Sequence, residues 1–236
     1  MHLITPPNLT SHAADLVCAL LASNPSAHLC LAAGGTPRPL YHELVRRAQS
    51  SLVSFAAARL TKLDEWLGLP LTHPATCETD LRDCLLDPLS IRPQQYLGFD
   101  SAAADPEAEA QRVAECLEAL PPFDLSILGL GLNGHIGMNE PADELPPHTY
   151  VAQLAEQSRH HAMLRDLISP PTHGLTMGMA ELMHSREIIL LVTGTAKRAA
   201  LQRFFTGPLT THFPASLLHL HPNCLCLADS EATPTS

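Results

Sequence analysis

The stretch from Gly129 to Pro141 combines a flexible backbone with two side chains that can exchange protons. It reads Gly-Leu-Gly-Leu-Asn-Gly-His-Ile-Gly-Met-Asn-Glu-Pro and follows the apolar run 125–128. Its glycines allow a small ligand to approach the backbone closely. His135 can transfer a proton, and Glu140 can serve as its charge partner. The pattern favours a ligand-binding loop, while a tight strand-to-helix turn with an incidental histidine is the alternative.

Two further loops carry groups that suit an anion. Gly34-Gly35-Thr36-Pro37 lies between an apolar run and a helical pattern, so its backbone N–H groups and the Thr36 hydroxyl could hold a phosphate. It lacks the spacing of a Walker loop or of a dinucleotide fingerprint. In Gly194-Thr195-Ala196-Lys197 an ammonium group falls at a helix start, where the helix dipole disfavours it unless an anion is bound. An ordinary turn and a solvated surface lysine are the respective alternatives.

Asp64 and Glu65 are adjacent carboxylates at the end of an apolar run. In extended backbone they must point in different directions. One of them can face a pocket and act as a general base if burial raises its pKa toward neutrality, while the other pairs nearby, for instance with Lys62. The chain has only two lysines, Lys62 and Lys197, which suggests positions where a compact ammonium group is needed.

The elements that must position these loops alternate between helix and strand. This order predicts a single-domain α/β fold with an open, mostly parallel sheet and helices on both faces. Ligands bind such sheets outside the carboxyl ends of the strands, where the loops described above all fall. The predicted helices are 10–24, 40–48, 76–86, 105–120 and 196–205, and the predicted strands are 28–33, 59–63, 125–129, 187–193 and 224–228.

Composition limits the class of protein. Of 236 residues, 45% are hydrophobic and 16% are charged, which is typical of a soluble globular chain. The formal charge of −10 argues against a nucleic-acid surface but not against a small anionic substrate. No apolar run is long enough to span a membrane, and residues 1–10 do not have the pattern of a secretion signal. The seven scattered cysteines show no zinc-binding spacing, so we expect free thiols, no metal, no cofactor and a cytoplasmic location.

The chain is predicted to form one domain over residues 1–229. Within it, the proline-containing and polar segment 142–165 is a candidate lid. Residues 230–236 are polar and predicted to be a disordered tail.

Several motifs in fixed order resemble those of the glucosamine/galactosamine-6-phosphate isomerase (deaminase) family. They are Gly-Gly-Thr-Pro, Leu-Asp-Glu-Trp before Gly-Leu-Pro, Asn-Gly-His-Ile-Gly-Met-Asn-Glu-Pro, Thr-Gly-Thr-Ala-Lys and Leu-His-Leu-His-Pro at 218–222. The resemblance runs from about residue 29 to 227 and implies a Rossmann-like fold of the sugar-phosphate isomerase type. The stretches 63–71, 76–79 and 171–178 are closer to members assigned as galactosamine-6-phosphate isomerases.

This resemblance implies an aldose–ketose isomerisation of a hexosamine 6-phosphate with release of ammonia. Asp64 would move the proton between C2 and C1, and His135, oriented by Glu140, would open the sugar ring. The phosphate would be held by Gly34, Gly35, Thr36, Arg159 and Lys197. His160 and His161, in the candidate lid, could help to recognise the substrate. The expected partner is a small sugar phosphate, without nucleic acid or membrane, and a homo-oligomer is compatible with the sequence.

Some members of the family carry an aspartate where this chain has Asn133. The proton relay next to His135 is therefore reduced to Glu140, and we interpret this difference as altered tuning of the site.

Two other functions compete with the deaminase. A 6-phosphogluconolactonase shares the Gly-His loop, but such enzymes resemble Asp-Gly-His followed by a Ser-Leu-Phe-Pro-like run, where this chain has Asn133 and the ending Asn139-Glu140-Pro141. A sugar-phosphate sensor would need a helix-turn-helix module and a basic patch, and the sequence shows neither.

Overall fold

The computed structural model describes residues 2–233. Its strands are β1 (His2–Ile4), β2 (His28–Leu31), β3 (Arg59–Lys62), β4 (Asp64–Trp66), β5 (Tyr96–Leu97), β6 (Leu125–Gly129), β7 (Tyr150–Gln153), β8 (His173–Thr176), β9 (Ile188–Val192) and β10 (Cys224–Ala228). Its α-helices are α1 (Leu9–Ser23), α2 (Arg38–Gln49), α3 (Cys77–Leu81), α4 (Pro106–Glu118), α5 (Glu156–Arg159), α6 (Met179–Met183) and α7 (Arg198–Thr206).

A seven-stranded sheet of order β1-β10-β9-β6-β2-β3-β5 forms the centre of the fold, and every neighbouring pair in it is parallel. From β2 the chain builds outward through β3 to β5, then returns to the other side of β2 as β6. The strand order therefore reverses between β2 and β6, and at such a switch point a crevice opens beyond the carboxyl ends of the strands. The predicted glycine-rich loops follow these two strands.

Alternate residues of the central strands pack on opposite faces of the sheet, as strand geometry requires. Leu29, Leu31 and Ile127 belong to one core cluster with α1 and α2. Cys30 and Leu128 belong to the other cluster, with α4, α6 and α7. The predicted architecture, with helices on both faces of a mostly parallel sheet, is confirmed.

Local signals fixed the starts of two helices. The side chain of Asn8 accepts a hydrogen bond from the Ser11 N–H at 2.9 Å and caps α1. Asp105 caps α4 in the same way, with Pro106 in the first turn. The helix predicted over 76–86 forms as α3 followed by a π-helical turn, Arg82–Leu86.

A second sheet, which the sequence analysis did not predict, has three antiparallel strands in the order β4-β8-β7. Asp64 pairs with Thr176, so Asp64–Trp66 is a strand of its own and not only the end of β3. The candidate lid 142–165 contributes β7, α5 and the 3-10 helix Ala162–Leu164. Leu154 and Leu164 of this segment pack with Trp66 in a third apolar cluster. The role of the segment as a lid stays a prediction.

The end of the predicted domain needs a correction. Residues 230–233, predicted to begin a disordered tail, form a turn in which Ala232 is fully buried. Asp229 explains this, because its Oδ1 accepts the N–H groups of Ala232 at 2.7 Å and of Gly194 at 3.1 Å. The remainder of the predicted tail, 234–236, lies outside the described residues.

Candidate active site

A cavity of about 320 Å³ lies at the switch point of the central sheet. It is bounded by the loops that follow β2 and β6, by the start of β4, by the segment after α5 and by the start of α7. Its wall contains most of the predicted site residues, namely Gly34, Gly35, Thr36, Asp64, His135, Glu140 and Lys197. Asn133 and Arg159 are not part of the wall.

Asp64 contributes a carboxyl group that can change its protonation state near neutral pH. Burial raises its pKa to about 7, and the negative charge of Glu65 acts in the same direction, while Lys62 and the Cys77 thiol oppose the rise. The residue remains partly exposed toward the cavity. A carboxylate with such a pKa can accept a proton from a bound molecule and return it.

Beneath Asp64 lies a buried cluster of charges. The Nζ atom of Lys62 donates to Glu65 at 2.7 Å, to Glu78 at 2.8 Å and to the carbonyl of Phe99 at 3.1 Å. Burial disfavours the ammonium charge, but the two carboxylates outweigh it and raise the pKa of Lys62. The predicted pairing of Lys62 with Glu65 is confirmed, and Asp64 is the carboxylate that faces the cavity.

Glu65 also ties the strand to the helix beside it. Its carboxylate accepts backbone N–H groups from Trp66 at 2.8 Å, Cys77 at 2.9 Å and Glu78 at 2.8 Å. Four donors, the Lys62 ammonium included, thus satisfy one fully buried side chain. This arrangement holds β4, and with it Asp64, in a defined position against α3.

His135 and Glu140 lie together in the loop that follows β6. The Nδ1 atom of His135 is 3.5 Å from Glu140 Oε2 and 3.2 Å from the Ser158 hydroxyl. Burial opposes ionisation of Glu140, but hydrogen bonds and charge from His135, with smaller contributions from Ser158 and Asn133, lower its pKa. Asn133 lies outside the cavity wall and supports the pair, since its Nδ2 donates to Glu140 at 2.8 Å and its Oδ1 accepts the His135 N–H at 3.1 Å.

Two glycines of this loop are required by its packing. A Cβ atom on Gly131 would come within 2.4 Å of the His135 ring. Gly134 has a φ of +89°, and a Cβ there would lie 2.2 Å from the ring of Phe213. Gly131 therefore leaves room for the imidazole of His135, and Gly134 leaves room for the ring of Phe213.

In the loop after β2, one of the backbone N–H groups predicted to bind an anion is already bonded within the protein. Gly34, with a φ of +104°, donates its N–H to Asp80 at 2.7 Å, and Asp80 also forms an ion pair with Arg38. The Gly34 N–H is thus already occupied by a carboxylate. Within residues 2–233, the N–H groups of Gly35 and Thr36 have no hydrogen-bond partner, so these two remain for an anion at the start of α2.

Lys197 faces the cavity from the 3-10 helix Thr195–Lys197 before α7. It is half-buried, and burial lowers its pKa. Among the described residues, its ammonium group has no hydrogen-bond acceptor and no carboxylate in salt-bridge range. A bound anion would supply the charge that the protein does not provide.

Arg159, predicted to bind the phosphate, does not reach the cavity. Its Nε is buried and has no hydrogen-bond partner within the described part of the chain. Its neighbours Gln157, Ser158 and His160 line the cavity, and Arg159 does not. Ser158 itself was missed, because nothing in the polar segment 155–165 distinguishes it.

The described residues contain no group of three or more histidine, cysteine, aspartate or glutamate side chains that could hold a metal ion. No helix among them is long and apolar enough to cross a membrane.

Comparison with known proteins places this architecture among relatives. A family model described as glucosamine-6-phosphate isomerases/6-phosphogluconolactonase matches residues 6–226. The presumed deaminase AgaI of Escherichia coli (strain K12) is 40% identical over 94% of this chain and 88% of its own length. A glucosamine-6-phosphate deaminase of Streptomyces coelicolor is 36% identical over 93% of this chain and 85% of its own.

A solved structure described as a monomeric glucosamine-6-phosphate deaminase superposes with a TM-score of 0.92 at 32% identity, covering 98% of each chain. The 6-phosphogluconolactonase of Trypanosoma cruzi has a TM-score of 0.80 at 21% identity, covering 98% of this chain and 94% of its own. Because the identity is only 21%, the similarity to this lactonase shows the fold alone.

Proposed function

Because the chain belongs to the glucosamine-6-phosphate isomerase/6-phosphogluconolactonase family, we propose that it is an enzyme that isomerises and deaminates a hexosamine 6-phosphate. The products are the ketohexose 6-phosphate and ammonia. One observation carries the proposal: a carboxylate with a pKa of about 7, an imidazole with a carboxylate partner and an unpaired ammonium group line the same cavity.

The roles follow from what each group can do where it lies. Lys197, with the N–H groups of Gly35 and Thr36, holds the phosphate at the start of α2. His135, backed by Glu140, passes a proton at the ring oxygen and opens the sugar ring. Asp64 then takes the proton from C2 and returns one at C1. The amino group leaves as ammonia after the carbon–nitrogen double bond is hydrolysed.

The 6-phosphogluconolactonase alternative is supported less well. The lactonase structures that superpose on this chain are 17–21% identical to it, which bears on the fold alone. The matching relatives with 34–40% identity are described as deaminases. The Asn139-Glu140-Pro141 ending of the His135 loop also differs from the Ser-Leu-Phe-Pro-like run expected of the lactonases.

The direct test is incubation with glucosamine 6-phosphate and galactosamine 6-phosphate in separate assays, with ammonia as the readout. We expect release from at least one of them, and the ratio of the two rates identifies the preferred sugar. A parallel assay with 6-phosphogluconolactone is the control. Hydrolysis of the lactone without ammonia from either amino sugar would refute the proposal.

A second test uses a variant to distinguish a role in ring opening from a role in proton transfer at carbon. His135→Gln should slow turnover of the cyclic substrate far more than turnover of an open-chain analogue, because ring opening is its proposed task. General acid–base groups typically contribute about 10²–10⁴-fold. Equal losses on both substrates would assign His135 to the carbon step or to loop structure.

A further inference from the structure

His161 covers the phosphate end of the cavity from the segment after α5. Its ring packs on Trp66, with 5.6 Å between the ring centroids. A Cβ built on Gly34 would lie 3.6 Å from its Cε1 and 3.9 Å from its Nε2. The imidazole therefore lies over the turn that precedes the free N–H groups of Gly35 and Thr36.

The hydrogen bonding of His161 defines which ring nitrogen is free. Its Nδ1 accepts the backbone N–H of Met163 at 3.3 Å. In the neutral ring the hydrogen must therefore be on Nε2. Within residues 2–233, Nε2 has no hydrogen-bond partner, and the side chain forms part of the cavity wall. A donor of this kind is suited to a phosphate oxygen.

The charges around His161 keep it neutral when the cavity holds no anion. Burial lowers its pKa most, and the positive charge of His135 and of Lys197 adds to this, while Asp80 opposes it. Asp80 is already paired with Arg38. A proton added to this ring would have to go to Nδ1 and would break the bond from Met163, so the ring offers an anion a neutral donor at Nε2.

The cavity is short of positive charge for a dianion. Arg159 lies outside the wall, so among the described residues Lys197 is the single lysine or arginine that lines it. One ammonium group matches half of the charge of a phosphate monoester, which carries −1.5 to −2 at neutral pH.

We propose that His161 binds the substrate phosphate as a neutral ring, donating its Nε2–H to a phosphate oxygen beside the Lys197 ammonium group while Nδ1 keeps the hydrogen bond from Met163. This inference rests on the proposed function, because it assumes a sugar phosphate as substrate. It assigns to the histidine of the candidate lid the place that Arg159 was expected to fill.

Two substitutions test the two ring nitrogens of His161 separately. His161→Asn keeps an acceptor near Nδ1 for the Met163 N–H but removes Nε2. His161→Gln places an uncharged donor near Nε2 and gives up the Nδ1 acceptor. His42→Asn is the matched control, since His42 is exposed on α2 and outside the cavity wall. Unfolding curves in urea show whether each variant is folded.

The probe is inorganic phosphate, titrated by calorimetry at pH 7.5 in two buffers of different ionisation enthalpy. The two heats give the affinity and the number of protons taken up. We expect His161→Asn to bind phosphate about tenfold more weakly, the low end for a hydrogen bond to a charged group, and to exchange as many protons as the wild type, because His161 stays neutral. His161→Gln, which keeps an uncharged donor, should bind with intermediate affinity and the same proton exchange, and His42→Asn should match the wild type.

Wild-type affinity in both His161 variants would overturn the proposal. Weaker binding together with fewer protons taken up would overturn it as well, because the wild-type ring would then bind phosphate as a cation. Phosphate binding requires no turnover, so the experiment is independent of the ammonia assay. A His161-dependent phosphate site in a protein that releases no ammonia would refute the proposed reaction and leave this assignment standing.

Discussion

The two ends of the cavity differ in how their buried charges are compensated, and the two lysines of the chain mark the difference. Lys62, beneath Asp64, is fully buried and bonded to Glu65, Glu78 and a carbonyl oxygen. Lys197, at the phosphate end, is half-buried and has no such partner among the described residues. The pKa of the first is raised by its carboxylates, and the pKa of the second is lowered by burial.

This contrast indicates which part of the site is complete without substrate. The base end is assembled by protein charges alone, so Asp64 is held in place before anything binds. The phosphate end leaves an ammonium group and two backbone N–H groups unmatched, so it is completed by the ligand. Substitutions at the base end should affect turnover or folding, while those at the phosphate end should affect substrate binding.

The largest effect is expected for Asp64→Asn at the base end. Loss of a general base typically costs about 10²–10⁴-fold in rate, so exchange of the C2 proton with solvent and ammonia release should both fall by this factor. Competitive inhibition by inorganic phosphate should be unchanged, because the phosphate end is intact. Exchange at the wild-type rate would move the base to another group, with Glu140 as the next candidate.

Lys62→Met should destabilise the fold more than any substitution at the phosphate end. Removing one partner of a buried ion pair leaves uncompensated charge and costs about 3–5 kcal/mol. Urea unfolding measures this change, with Lys197→Met as the matched control. The control should unfold with the wild-type free energy or a higher one, since its ammonium has no partner to lose. Equal destabilisation by the two substitutions would contradict the contrast drawn between the lysines.

Lys197→Met should weaken substrate binding by about 1.5–3 kcal/mol, the scale of a hydrogen bond to a charged group. The loss should be found in KM with kcat nearly unchanged if the phosphate is held equally in the ground and transition states. Inorganic phosphate should inhibit this variant much less than the wild type. Unchanged KM and unchanged phosphate inhibition together would make Lys197 a surface residue without a role in binding.

The pH dependence of the wild type should be the smallest of these effects. Because Asp64 must be ionised to act as a base and its pKa is about 7, kcat/KM should fall about tenfold per pH unit below that value. The acid limb is measured with a substrate concentration well below KM. A profile that stays flat down to pH 5 would show that the essential base has an ordinary carboxyl pKa.

The same carboxyl group links function to stability. Its pKa rises from the usual 3.8 to about 7 on folding, so the folded protein binds the proton more tightly than the unfolded chain. Its contribution to stability is complete below pH 3.8 and is lost as the pH rises to 7. Asp64→Asn should therefore raise the free energy of unfolding at pH 8, where the wild type must keep a charge buried.

The amino-acid sequence by itself determined five of the seven strands of the central sheet, β2, β3, β6, β9 and β10, and the loops at its edge, but not the strands β1 and β5. Apolar runs such as 125–129 are favoured as buried strands, and helices between them force a parallel order. Parallel strands end at one edge, which brought together Thr36, Asp64, His135 and Glu140 without knowledge of any contact. The sequence also predicted that one of the two adjacent carboxylates pairs nearby, for instance with Lys62, but not which one.

Only the tertiary structure decided which polar groups form hydrogen bonds and ion pairs with one another. Asp80 takes the Gly34 N–H from 46 residues away, and Glu78 completes the Lys62 cluster. The strands β4, β8 and β7 are only three or four residues long and lie far apart in sequence, so periodicity could not reveal their pairing.

The short helix α5 is a second case in which the sequence does not show which side chain faces the site. Both Ser158 and Arg159 are polar, and the sequence does not show which of them contacts His135. In the folded chain Ser158 contacts His135, and Ser158 and His161 line the cavity while Arg159 does not. Local sequence fixes which groups are available near a site, but contacts between distant segments fix the direction in which each one points, because a short helix has no periodicity of its own to define its buried face.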